Sequence, residues 1–284
     1  MNPGEVSPET FDGEGHPIPD MSGLSIGALR EGLAKIDDRT ELERWCSGLI
    51  QDRRAGARAL GERTLRRIQA DLAELERLKG LFEYRAALME RGCKAVAGVD
   101  EVGVGPLAGP VVAAAVLLPS STHLPGLNDS KKLSAQARER LAEAIREQAL
   151  AFSLGEVSSG EIDRVNILQA TLEAMRRAVS GLHEQVSLDH VLVDARKVPG
   201  ISVPQTAIVH GDAIDGSIAA ASIVAKVYRD GLMKRFAEDF PGYGLERHMG
   251  YGTAAHIEAL GRLGVSPIHR RSFAPVAAAA RRSV

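Results

Sequence analysis

The most constraining feature of the chain is a pair of apolar runs, AVAGVDEV at 95–102 and VVAAAVLL at 111–118, separated by GVGPLAGP. Short, continuous Val/Ala runs closed by Gly and Pro suit strands buried on both faces of a sheet. The second run falls well short of the roughly 20 apolar residues that a membrane helix requires, and Pro119 ends it. Downstream, helical and strand patterns alternate. Residues 134–150 read as a helix with Ser134 as N-cap, FSLGEVS as a strand and 162–182 as a helix. A strand at 190–193 ends at Asp194, one at 206–209 runs into Gly211–Asp212, and 217–240 form an Ala-rich helix. Strands alternating with helices indicate an α/β domain.

The sequence ahead of this domain is of another kind. Residues 1–24 are polar, rich in Pro and Gly and without apolar period, which predicts disorder. Residues 25–93 read as a helical extension, with helices over 25–36 and within 41–92; Leu65, Ile68, Leu72 and Leu75 share one helical face. The N-terminus lacks the basic-then-apolar order of a secretion signal. Cys46 and Cys93 have no metal-ligand spacing, so reduced thiols in a cytoplasmic protein that does not enter a membrane are expected. With 4% aromatic residues, a broad base-stacking platform is disfavoured. The net charge of −2 argues against a generic polyanion binder, but residues 226–284 carry ten Lys/Arg against five Asp/Glu. Such a stripe can neutralise phosphates, and it is equally consistent with a solvated helical surface.

Four acids stand at the ends of apolar runs: Asp100 and Glu101 together, Asp194 after HVLV, and Asp212 after TAIVHG. A carboxylate beside an apolar core is costly unless it is exposed, paired or bound to a cation. Any one of them alone reads as a turn former; four at the ends of several strands make a better case for one cluster. Oxygen-only ligands suit Mg2+ or Mn2+ rather than zinc. Asp230, in the later Arg-Asp pair, is a rival, read as a helix residue paired with Arg229 or a neighbour.

AGVDEVGVGPLAGPVVAAAV, LNDSKKLS, EIDRVNILQATLEAM, HVLVD, GDAIDGSIAAASIVAKVYRD, HMGYGTAAHIEAL and IHRRSFAPV occur in this order. In these motifs the chain resembles bacterial ribonuclease HII from about Ala95 to Val276. The resemblance implies a ribonuclease H-like fold: a central mixed sheet flanked by helices, with a C-terminal helical portion. It makes 94–276 the catalytic domain and leaves 277–284 as a basic tail. It also implies that Asp100, Glu101, Asp194 and Asp212 are catalytic metal-binding carboxylates using Mn2+ or Mg2+. The implied activity is endonucleolytic cleavage of the RNA strand of RNA–DNA hybrids, and 5′ of ribonucleotides embedded in duplex DNA, by a chain expected to act as a monomer. Nucleic-acid contacts would come from Gly103, Val104 and Gly105, from Asn128, Ser130, Lys131 and Lys132, and from Tyr251, which matches the tyrosine packed against the junction sugar. His269, Arg270 and Arg271 are open between phosphate-binding and structural roles.

The chain departs from this family at several contacts. Where the family has Gly-Arg-Gly after the acidic pair, this sequence has Gly103-Val104-Gly105, and Val104 supplies no bidentate charge. Usual lysines are replaced by His210 and Met249, and a Gly-Asn-Arg-like run by Ala195-Arg196-Lys197. The four acids are intact. Two alternatives to a junction-cutting nuclease follow: a hybrid-binding protein with weak or lost turnover, and a nuclease or integrase acting on DNA.

Overall fold

The computed structural model describes Met21 and residues 23–282; the expected disorder of 1–24 falls almost wholly outside the described residues. The chain divides into two compact units, Met1–Glu76 and Arg77–Val284. The first contains α1 (Ile26–Leu33), α2 (Arg39–Ile50) and most of α3 (Ala55–Gly80). Ser25 and Asp38 cap α1 and α2 by accepting from the backbone N–H three residues on. Leu29, Leu33, Leu49, Ala57 and Leu60 form a small core of their own. Of the predicted helical stripe, Ile68 is buried whereas Leu75 is exposed.

The second unit begins with the end of α3 and with α4 (Glu83–Glu90), then β1 (Val96–Val102) and β2 (Val111–Leu117). It continues through α5 (Ala135–Gln148), β3 (Ala151–Val157), α6 (Ser159–Val165), α7 (Ile167–Gln185), β4 (His190–Asp194) and β5 (Gln205–Ile208). After the single turn α8 (Gly211–Ile214) come the long α9 (Gly216–Asp239), α10 (Leu245–His248), α11 (Ala254–Leu263) and α12 (Ala274–Arg282). The five strands form one mixed sheet in the order β3-β2-β1-β4-β5. β1 pairs antiparallel with β2 and parallel with β4. This is the mixed, helix-flanked sheet the motifs led us to expect. No described helix is long and apolar enough to cross a membrane.

Strand alternation distributes the core. Ala97, Val99, Ala113, Ala115, Val191 and Val193 face α7, in a cluster with Met175, Val179 and Leu182. Val112, Ala114 and Val116 face α5 and α9, with Ile145, Ile223 and Val224. Both faces are covered, which is why the two founding runs have no polar alternation. α9 lies so close to β1 that a methyl group on Gly98 would fall 2.0 Å from the Ser217 carbonyl carbon. The helix predicted over 162–182 is two helices: Asn166, at φ 72°, ends α6 and caps α7 by accepting from the Gln169 N–H at 3.1 Å. A third cluster, with Leu107, Met233, Tyr243, Leu260 and Ile268, seats the C-terminal helices against the loop after β1.

Candidate active site

Asp100 and Glu101 occupy the C-terminal end of β1, and Asp194 is the last residue of the neighbouring parallel strand β4. Parallel pairing puts these ends side by side. Asp100, Glu101 and Asp194 each offer a carboxylate oxygen within 4.8 Å of the others. Consecutive residues of a strand point to opposite faces: Asp100 shares the α9 side with Gly98, and Glu101 lines a cavity of about 260 Å³ with Leu168, Met175 and Asp194. Asp100 is 4% exposed. Burial, then the charge of Glu101, pushes its carboxyl well above the usual range. Glu101 is raised by burial and by Asp194, and Asp194 by burial and by Asp212. Acids that burden one another in this way are what a hard cation relieves.

The structure places Asp212 differently. It lies buried in α8, near enough to raise Asp194, but outside the three-acid group; its Oδ2 accepts from Lys131 Nζ at 3.0 Å. Burial works against the Lys131 charge, and the hydrogen bond and charge of Asp212 more than offset it. The backbone on either side is tightly turned: Ala195 has φ 53° and His210 φ 57°, left-handed values that cost a residue with a Cβ. The turn lets the Gly211 N–H donate to Asp194 Oδ1 at 2.6 Å. Asp230 pairs with Lys226 on α9 at 2.7 Å.

The polar loop ahead of α5 reaches the acids from inside. Asn128 Oδ1 accepts from the Asp129 N–H. Ser130, expected to touch nucleic acid, is buried, with its Oγ 2.9 Å from Ser222 Oγ; Ser222 in turn hydrogen-bonds Asp100. Lys131 bridges to Asp212 with most of its side chain exposed, and Lys132 is exposed. The loop therefore orders two acids as well as presenting two lysines.

Gly103, Val104 and Gly105 follow β1 directly. Val104 is 39% exposed and lines the same cavity as Glu101 and Asp194. Tyr251 is 44% exposed, and a methyl group on Gly105 would lie 3.7 Å from its ring. This loop rests on two fully buried guanidiniums. Arg270 donates to the carbonyls of Gly109, Val104 and Gly103; Arg229 donates to those of Pro110, Met249 and Ala108. Arg270 is thus structural, the question the sequence left open. Arg271 is exposed; its N–H donates to Asp163, as does that of Ser272.

Behind Tyr251, His256 donates from Nδ1 to the Tyr251 carbonyl, and its Nε2 lies 3.0 Å from His269 Nε2. His269 Nδ1 accepts from the Ser266 N–H, so a neutral relay satisfies both rings. Burial, then the neighbouring His256, lowers His269 to about 4.

Sequence reasoning missed Ser222, and treated Arg229 only as a partner for Asp230. Their signal was present in the spacing: Ser222, Ala225, Arg229 and Met233 lie three or four apart, so Arg229 continues the buried face of α9.

Comparison with known proteins points the same way. The ribonuclease HII family profile matches residues 97–276. Ribonuclease HII of Desulfitobacterium hafniense is 47% identical over 256 residues, 90% of this chain and 97% of that one. Ribonuclease HII of Myxococcus xanthus is 54% identical over 235 residues, 81% of this chain and 80% of that one. The crystal structure of ribonuclease H2 from Pyrococcus horikoshii superposes with a TM-score of 0.56 at 26% identity, covering 66% of this chain and 98% of that one. With its sheet, its strand-end acids and this coverage, the chain belongs to the ribonuclease HII family, the endonucleases that cut the RNA strand of RNA–DNA hybrids.

Proposed function

We propose that this enzyme also cuts 5′ of ribonucleotides embedded in duplex DNA, leaving 3′-hydroxyl and 5′-phosphate ends, with Mg2+ or Mn2+ held by Asp100, Glu101, Asp194 and Asp212. The observation that carries the metal reading is the group of three carboxylates within 4.8 Å, each raised by burial and by its neighbours. Bound divalent cations supply water activation and neutralise charge developing on the phosphodiester. The chain's own residues divide the remaining work. Asp100, Glu101 and Asp194 would hold the ions and Asp212, now bonded to Lys131, would add a ligand, while Ser222 stands beside the Asp100 carboxylate. Gly103, Val104 and Gly105 face the ribonucleotide, Tyr251 its sugar, and Asn128, Ser130, Lys131 and Lys132 form or support the phosphate contacts. All four acids come from one chain, so a single copy carries the set, which supports action as a monomer. Two free cysteines support the cytoplasm.

Val104 in place of arginine removes a charged contact from the junction loop, so selectivity for a single embedded ribonucleotide is relaxed. The test is cleavage of a single-ribonucleotide duplex and of a continuous hybrid, with Mg2+, Mn2+ or chelator. Cleavage that survives chelation overturns the metal reading. Val104→Arg should raise the preference for the single site; an unchanged preference overturns the reading of Val104.

A further inference from the structure

We propose that Arg229 and Arg270 are positioning residues for ribonucleotide recognition: Arg270, by drawing the Gly103 and Val104 carbonyls inward, turns the Val104 and Gly105 N–H groups outward as the donors that meet the 2′-hydroxyl, and Arg229 holds the rest of the loop in place. This rests on the reading above that the loop 103–105 faces the ribonucleotide.

The argument is one of peptide geometry. In a trans peptide the carbonyl and the following N–H point in opposite directions, and no described peptide is cis. Arg270 Nη2 lies 2.6 Å from the Gly103 carbonyl and Nη1 2.9 Å from that of Val104. The N–H groups of Val104 and Gly105 must then point away from the guanidinium, to the exposed side of the loop. Arg229 completes the clamp, tying Ala108 and Pro110 to Met249, two residues before Tyr251. It runs so close beneath the loop that a methyl group on Gly103 would lie 2.2 Å from its Nε, and Gly103 itself sits at φ 90°. Glycine is required here by the arginine below as much as by the sugar above. Both guanidiniums remain cations at neutral pH despite burial, which brings Arg270 to about 9 and Arg229 to about 10. A lysine retains the charge but has no planar fork with which to hold two adjacent carbonyls.

An embedded ribonucleotide offers one 2′-hydroxyl in one register, whereas a hybrid offers one at every step. A loosened loop therefore loses more on the first substrate. The experiment measures kcat/KM on a single-ribonucleotide duplex, a continuous hybrid and an all-DNA duplex for wild type, Arg270→Lys and Arg229→Lys, with circular dichroism to report folding. The expected result is that the ratio of single-site to hybrid cleavage drops at least about tenfold in a folded lysine variant. An unchanged ratio overturns the proposal, as does loss of the fold in both variants, since the arginines would then serve the fold alone. If wild type cuts all-DNA duplex as readily as the single site, the reading of the loop itself fails, a separate outcome.

Discussion

The acid cluster and the loop beside it treat buried charge in opposite ways. At the end of β1 and β4, three carboxylates crowd within 4.8 Å and raise one another. A few residues on, two buried guanidiniums donate to six main-chain carbonyls and leave that loop satisfied. On the proposed reading the first region awaits a cation, and its crowded charge costs the fold stability. The second is complete as it stands. On the function proposed above, chemistry would use charge the fold leaves uncompensated, and recognition would use backbone that compensated charge holds still.

Neutralising a member of each region breaks the comparison most directly. Asp100→Asn should lower cleavage by about a thousandfold or more, since it would remove a proposed metal ligand, yet raise the melting temperature of metal-free protein by relieving like-charge crowding. A lowered melting temperature would show that the acids are already compensated. Arg270→Met should act in reverse on stability, costing about 3 kcal/mol by denaturant unfolding because three buried carbonyls lose their donors. A neutral effect would mean that water replaces the guanidinium.

A smaller effect sharpens the same contrast through pH. His269 titrates near 4 in the folded protein against an ordinary 6.5, so the unfolded chain binds more protons between these values. Stability should be full above about pH 6.5 and be lost as pH falls toward 4, by about 1–2 kcal/mol at pH 5. His269→Gln should flatten that slope; an unchanged slope would assign it to other groups. Smallest is Ala195→Gly, which should stabilise by about 1 kcal/mol because φ 53° is left-handed. No gain would place the strain elsewhere.

Much of this was legible along the chain because it depends on local pattern. The Val/Ala runs announced strands covered on both faces, and Ser134 announced the cap of α5. The break at Asn166 was not legible: apolar residues keep a helical period across it, and only the backbone reversal separates α6 from α7. Ser130 was read as a surface contact because a polar loop residue carries no mark of being buried against Ser222, 92 positions away.

The sequence by itself determined the residue types: acids at strand ends, glycines in the loop, and the motif order that places the chain in its family. It also placed Val104 where the resemblance leads one to expect an arginine. Which of those groups meet was decided by tertiary structure. Parallel pairing of β1 with β4 brings Asp194 to Asp100 and Glu101, and the long run from Gly103 to Arg270 closes beneath the loop. Such contacts join residues far apart in the chain, and their energy depends on burial and direction, which spacing along a sequence does not carry.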